Sequence, residues 1–383
     1  MKPGSLFPID FLLCCRVDRP VGRRQKALRI AVEILKLVMA QAPQKGSKAN
    51  ETHANGNRDK KHNAAHPALP RSGSLKVGRS ACQACQVPWP ISELMYGEVT
   101  YGQPIGSDGL RLNFSYLRAR TAPSGALKQL EIEGTSEEGS VALEYPLIRS
   151  RLENLRLGIR FAARHSKTES IGNTVLAADD LRVLSVGVTY DWFDAWRGIN
   201  LVSIGASKGL DMLGASDRTD PNLSRAGGRA DFTKLYGELS RLQDVGAGVS
   251  VLVAGAFQYT NEALLASEEF GAGGDRFGRG YDPSEISGDQ GAGFSIEFRH
   301  DTDLNIPYVD SLQPYAFFDT AAVWDNEINA ADRRTLASAG LGVRVEVADR
   351  FNGFIEIAQP IEPAVATRGD EDPRLFGGIS VRF

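Results

Sequence analysis

From Leu94 onward the chain alternates apolar and polar residues in short segments separated by turns rich in Gly, Asp, Asn and Ser, a period of two that specifies β-strand. Leu155, Leu157, Ile159 and Phe161 fall opposite Arg156, Gly158, Arg160 and Ala162; Leu341, Val343, Val345 and Val347 fall opposite Gly342, Arg344, Glu346 and Ala348. The pattern predicts strands over 94–104, 110–121, 139–148, 153–166, 180–195, 199–208, 230–243, 247–260, 291–303, 312–325, 336–348, 351–361 and 374–383. Charges sit in mid-strand between large aliphatics. In a soluble sandwich they would form the solvent face; in a membrane barrel they would line a wet lumen while the aliphatics meet lipid. Alternation alone leaves both open. The number of strands, and a last strand that runs to the terminal Phe383, favour the barrel.

No run of about 18 apolar residues occurs, which excludes a transmembrane helix but not a barrel, whose strands need only about 9–11 residues. The formal net charge of −3 conceals two compositions. Residues 1–90 hold 16 Lys and Arg against 5 Asp and Glu, a net of +11; residues 91–383 hold 28 against 42, a net of −14. The basic, polar stretch from Gly46 to His66 lacks the apolar surface to fold alone, so 1–90 is expected to be a disordered basic segment and 94–383 the barrel. All four cysteines lie in that segment, and Cys82-Gln83-Ala84-Cys85 lacks the second pair or spaced histidines that a zinc site needs. Arg23 to Ala42 has a basic start and an apolar middle broken by Glu33 and Lys36; a secretory leader, an amphipathic helix and a mis-assigned start are its three readings. No metal site and no cofactor are expected.

The chemistry-bearing block runs from Phe270 to His300. A Gly-rich loop carries Arg279-Gly280-Tyr281 and Gly288-Asp289, then enters a strand in which Phe294, Ile296 and Phe298 alternate with Ser295, Glu297 and Arg299. A guanidinium on a glycine-flanked turn between two strands suits a loop folded back into a pore. Phe317, Asp319 and Ala321 mark a later strand; Tyr101 to Gly106 and Glu144 to Ser150 mark two earlier ones. In this order the motifs resemble the two-partner secretion transporters, the hemolysin activation/secretion family of outer-membrane proteins, from about Tyr96 to Phe383. Arg279, Gly280 and Tyr281 match the family's loop tripeptide, Gly288 and Asp289 its sequel. Phe317, Asp319 and Ala321 match its Phe-x-Asp-x-Gly strand motif, with Ala321 in place of the glycine.

The resemblance implies an all-β, antiparallel transmembrane β-barrel with about thirteen of the family's sixteen strands. Three strands, the periplasmic POTRA domains and the plug helix have no counterpart in the sequence. It also implies that Arg279 reaches into the pore to pair with Asp319. On the residues alone, Asp275, Asp282 and Glu285 are alternative partners. The terminal Phe383 is similar to the signal by which the barrel-assembly machinery recognises outer-membrane proteins. The implied function is export of a large partner exoprotein across the outer membrane, with lipid and assembly machinery as further partners and no nucleic acid. The chain lacks the phosphate-binding motif of nucleotide hydrolases. Insertion of other barrels and a passive pore or surface antigen are the rival functions. An enzyme is not expected: His165 and His300 stand alone in strands without a nucleophile at defined spacing.

Overall fold

The computed structural model describes residues 11–17, 72–78, 94–122, 132–302, 309–326, 333–348, 350–366 and 369–381. The calls on Phe383, Cys82, Cys85 and the histidines of the N-terminal segment lie outside the described residues. Two short strands of that segment are described, β1 (Phe11–Val17) and β2 (Ser72–Gly78). The main series follows: β3 (Leu94–Ile105), β4 (Leu110–Thr121), β5 (Glu133–Arg149), β6 (Glu153–Ser170), β7 (Thr174–Phe193), β8 (Gly198–Gly209), β9 (Thr233–Gly246) and β10 (Val249–Thr260). After a two-stranded hairpin, β11 (Phe270–Ala272) with β12 (Ile286–Gly288), the series resumes. Its last members are β13 (Gln290–His300), β14 (Val309–Trp324), β15 (Arg334–Val347), β16 (Phe351–Glu362) and β17 (Arg374–Val381).

Every neighbour in the large sheet is antiparallel, and from β3 to β17 each strand pairs with the next one in the series, β10 passing directly to β13. β1 pairs with the outer edge of β17, and β2 with that of β3. The connections at one end are short: 106–109, 150–152, 194–197, 247–248 and 348–350, with 301–308 the longest. At the other end lie 122–132, 210–232, 261–289, 325–333 and 363–373, with 171–173 the one tight turn.

The two faces are inverted relative to a soluble protein. Ile159, Val186, Ile204, Leu239, Phe298, Leu341, Ile355 and Ile357 are exposed, whereas Ser207, Gln258, Glu297, Asp319, Ser338 and Glu356 are buried on the opposite face. Large aliphatics outside and hydrogen-bonded polar groups inside form the pattern of strands that meet lipid on one face and line an interior on the other. The inner polar groups satisfy each other across strands, as in Ser115 with Ser140 at 2.6 Å and Ser185 with Ser207 at 2.8 Å.

All thirteen strands expected from alternation form, but β5, β6 and β7 are longer than expected, at 17, 18 and 20 residues. The extra residues carry no period of two: Glu133–Glu138 and Lys167–Ser170 are polar on both faces, whereas Thr174–Asp179 holds four consecutive apolar residues, Val175, Leu176, Ala177 and Ala178. They remain extended because ladder hydrogen bonds and ionic pairs hold them, with Glu138 of β5 accepting from Arg160 and Arg164 of β6.

Candidate functional site

The connection from β10 to β13 spans 261–289 and folds back against the inner wall. Its chain direction is set by glycines: Gly273, Gly274 and Gly278 hold φ of +110°, +81° and +112°, values that L side chains rarely adopt. Below them an apolar cluster of Phe277, Tyr281 and Ile286 from the loop packs on Ala321 and Val323 of β14 and Leu336 of β15. Ala321, where the resembling motif has glycine, is 4% exposed within that cluster.

Arg279 lies at the loop tip. Its Nε donates to Asp319 Oδ2 at 2.9 Å and its Nη2 to Asp319 Oδ1 at 3.0 Å, a two-pronged fork, while its backbone N–H donates to Oδ2 at 3.2 Å. Nη1 donates to Glu297 Oε2 at 2.7 Å and to Glu356 Oε2 at 3.3 Å. The guanidinium carbon sits 3.4 Å from the centre of the Phe317 ring. Burial opposes the positive charge, but the hydrogen bonds and field of Asp319, reinforced by Glu356 and Glu297, outweigh it and raise the Arg279 pKa above the ordinary arginine value.

The nearer acids serve elsewhere. Asp282 accepts from Arg374 at 2.6 Å, and Glu285 Oε1 accepts the backbone N–H of Ala366 at 2.5 Å. Asp275 is pushed up by burial, the charge of Arg279 only partly opposing.

Strand register explains how three strands, β13, β14 and β16, converge on one side chain. Ser295 of β13 lies opposite Asp319 of β14, and Ser295 Oγ donates to Asp319 Oδ1 at 2.7 Å. Phe317 lies opposite Gly340, and Tyr315 opposite Gly342. A Cβ on Gly340 would stand 2.4 Å from the Phe317 ring, and one on Gly342 2.2 Å from the Tyr315 ring. The rings therefore lie across β15, and Tyr315 O–H reaches Glu356 of β16 at 2.9 Å. Glu297 also accepts from Arg344 and Arg299, each at 2.7 Å. Three carboxylates and three guanidiniums thus interlock, with Asp319 fully buried and Glu297 and Glu356 nearly so.

Gly280 and Tyr281 complete the tip. Tyr281, 1% exposed, donates its O–H to Ala337 O at 3.0 Å, and buried Arg374 donates to Gly280 O at 3.1 Å. A Cβ at Gly280 would meet Pro360 N at 2.8 Å and Gln359 C at 3.1 Å, both backbone atoms of β16. In Gly280→Ala the tip is accordingly expected to lift, at about 1–3 kcal/mol of overpacking. The check is the temperature at which the folded band is lost in heat-modifiability electrophoresis. Gly139→Ala, whose Cβ would enter open space, serves as control. Equal transitions for both variants would refute the close docking.

Gly288 and Asp289 form a second node at the loop's exit. A Cβ on Gly288 would meet Trp324 O at 2.9 Å. Asp289 is fully buried; its Oδ1 accepts from Arg225 Nη1 at 2.5 Å and from Leu264 N–H at 2.6 Å, and its Oδ2 from Asn326 N–H at 2.7 Å. The carboxylate therefore joins connections 210–232, 261–289 and 325–333.

The sequence expectations thus placed the loop tripeptide, its sequel and the strand motif but not Ser295, Glu297, Arg344, Glu356, Arg225 or Arg374 as their partners. The alternation of Gly340 and Gly342 opposite Phe317 and Tyr315 was the available signal, since bare backbone across from aromatic residues marks where rings lie over a neighbouring strand.

A family model described as haemolysin secretion/activation protein ShlB/FhaC/HecB matches residues 96–345. Among solved structures, CdiB from Escherichia coli aligns with a TM-score of 0.64 at 17% identity over 76% of this chain and 53% of that one. CdiB from Acinetobacter baumannii aligns at 0.58 and 16% over 76% and 50%. BamA from Haemophilus ducreyi lacking POTRA domains 1–3 aligns at 0.54 and 13% over 76% and 62%. The chain spans about half the length of the two CdiB structures. No curated protein matches it in sequence.

Proposed function

The chain belongs to the haemolysin secretion/activation protein family ShlB/FhaC/HecB, an outer-membrane β-barrel family, and from that membership we propose that it passes a large partner exoprotein through its barrel to the cell surface. The observation that supports this reading is the loop folded against the inner wall and held there by Arg279 on Asp319, Glu297 and Glu356. A passive pore has no need of a loop tied to four strands of its own wall.

The short connections would face the periplasm and the long ones the outside, as in other outer-membrane barrels. Partner folding outside would drive export, without nucleotide hydrolysis. Lipid and the barrel-assembly machinery are the further partners of this reading.

Deletion of the gene should remove one large exoprotein from the surface and medium, and complementation should restore it. An unchanged set of exported proteins would overturn the transporter reading. A joint fall of many unrelated barrels would replace it with insertion of outer-membrane proteins.

A further inference from the structure

The inward loop meets the barrel wall in two ways that differ in kind. Its tip is docked on β13–β16 by buried ionic bonds and by the apolar cluster around Phe277, Tyr281 and Leu336. The stretch from Ala266 to Arg276, on the way to the tip, presents different chemistry to its two sides. Its aromatic ring lies on β13, where a Cβ at Gly291 would stand 2.2 Å from the Phe270 ring; Phe277, next in the chain, does the same over Gly293 at 2.5 Å. Toward β6 and β9 it offers charge. Glu268 accepts from Arg164 of β6 at 2.9 Å and from Lys234 of β9 at 2.8 Å, and Arg276 reaches Glu238 of β9 at 2.9 Å. The last pair is about half exposed on both partners, so water and salt compete with it.

Between this stretch and the wall lies a cavity of about 480 Å³. Glu138, Arg160, Lys234, Glu238 and Arg276 line it. The wall behind carries Ala162, Ser185 and Ser207, whose two hydroxyls already bond each other. Small, mutually satisfied side chains leave room and offer a passing backbone little to adhere to.

We propose that the exported chain passes between the Ala266–Arg276 stretch and the β5–β9 wall, through the space that opens when Glu268 and Arg276 release Arg164, Lys234 and Glu238, while the Arg279 tip stays docked. The inference rests on the transporter reading, which it makes specific to one side of the lumen. The asymmetry of the contacts carries it. Releasing the tip would expose an apolar cluster and strand a fully buried carboxylate, whereas parting the stretch from β6 and β9 breaks the half-exposed Arg276–Glu238 pair and the ionic bonds of Glu268, itself 7% exposed, and leaves Phe270 and Ala272 in their apolar cluster.

The test uses the whole chain in planar bilayers, with Cys14, Cys15, Cys82 and Cys85 replaced by Ser. Arg276→Cys and Glu238→Cys are joined by a short, reducible bifunctional thiol reagent. Most of the single-channel conductance is expected to vanish on joining and to return on reduction. In a separate variant, Glu268→Gln with Arg279 and Asp319 unchanged, conductance is expected to rise. Conductance untouched by the 276–238 link would overturn the proposal. So would a Glu268→Gln channel no more open than the parent. Because conductance is read without a partner, failure here is distinct from failure of the transporter reading, which the deletion experiment reports.

Discussion

Arg279→Ala is expected to destabilise the barrel by about 3–5 kcal/mol, the usual loss when one member of a buried ion pair is removed. The loss does not fall evenly on the three carboxylates. Glu297 keeps Arg344 and Arg299, and Glu356 keeps the Tyr315 hydroxyl. Asp319, with no exposed surface, keeps Ser295 as its side-chain donor. Its orphaned charge dominates the cost, so Arg279→Ala with Asp319→Ala should be more stable than Arg279→Ala alone. Arg279→Lys should recover little, since an ammonium cannot form the fork and loses the contact with the Phe317 ring. Exchange of the two charges should also fail to restore the site, because a carboxylate at 279 would face Glu297 and Glu356. Denaturant unfolding of the four variants in detergent micelles is the measurement. A single mutant as stable as the parent, or a double mutant less stable than the single, would refute this account.

The second large effect is expected at the loop's exit. In Asp289→Ala, Arg225 retains Glu269 at 2.9 Å, so its charge stays paired. Two backbone N–H groups, those of Leu264 and Asn326, lose their acceptor, and Leu264 is itself fully buried. Each such loss costs about 1–3 kcal/mol. Since about 1.4 kcal/mol is a factor of ten, the population with connection 210–232 open should rise at least ~10-fold. Trypsin added to intact cells should then cut at Arg218, Arg225 or Arg229 correspondingly faster. Asp289→Asn, which keeps one acceptor, should lie between the two. Cleavage at the parental rate in both variants would show that the three connections are held together by their apolar contacts and not by this carboxylate.

The strands were legible where one face meets lipid, because the membrane forces every second residue to be apolar. They were not legible beyond it. Glu133 to Glu138 is polar on both faces and Val175 to Ala178 is apolar on both, so the two-residue rhythm that marks Leu155 to Phe161 is missing in each. The site divided along a similar line. Arg279 and Asp319 stood out through the motifs that carry them. Glu297 and Glu356 look, in sequence, like any other inward charge, and only the registers of β13 with β14 and of β15 with β16 bring them to the same guanidinium. Arg374 was hidden for another reason: its contacts with Gly280 and Asp282 join residues more than ninety positions apart across a turn of the sheet.

The unequal strand lengths also decide how the molecule looks to an approaching stranger. β6 and β7 continue well past the ends of β8 and β10 and are joined at Ile171–Asn173 by a tight turn, where Gly172 has open space around it and φ of +74°. In the proposed orientation, with the long connections facing outward, this hairpin would stand as a turret on one side of the mouth. Its tip touches neither the Arg279 cluster nor the Asp289 node. Exchange of the turn residues should therefore leave both the guanidinium cluster and the carboxylate node intact, so that the most exposed feature of the sheet is also the one its interior depends on least.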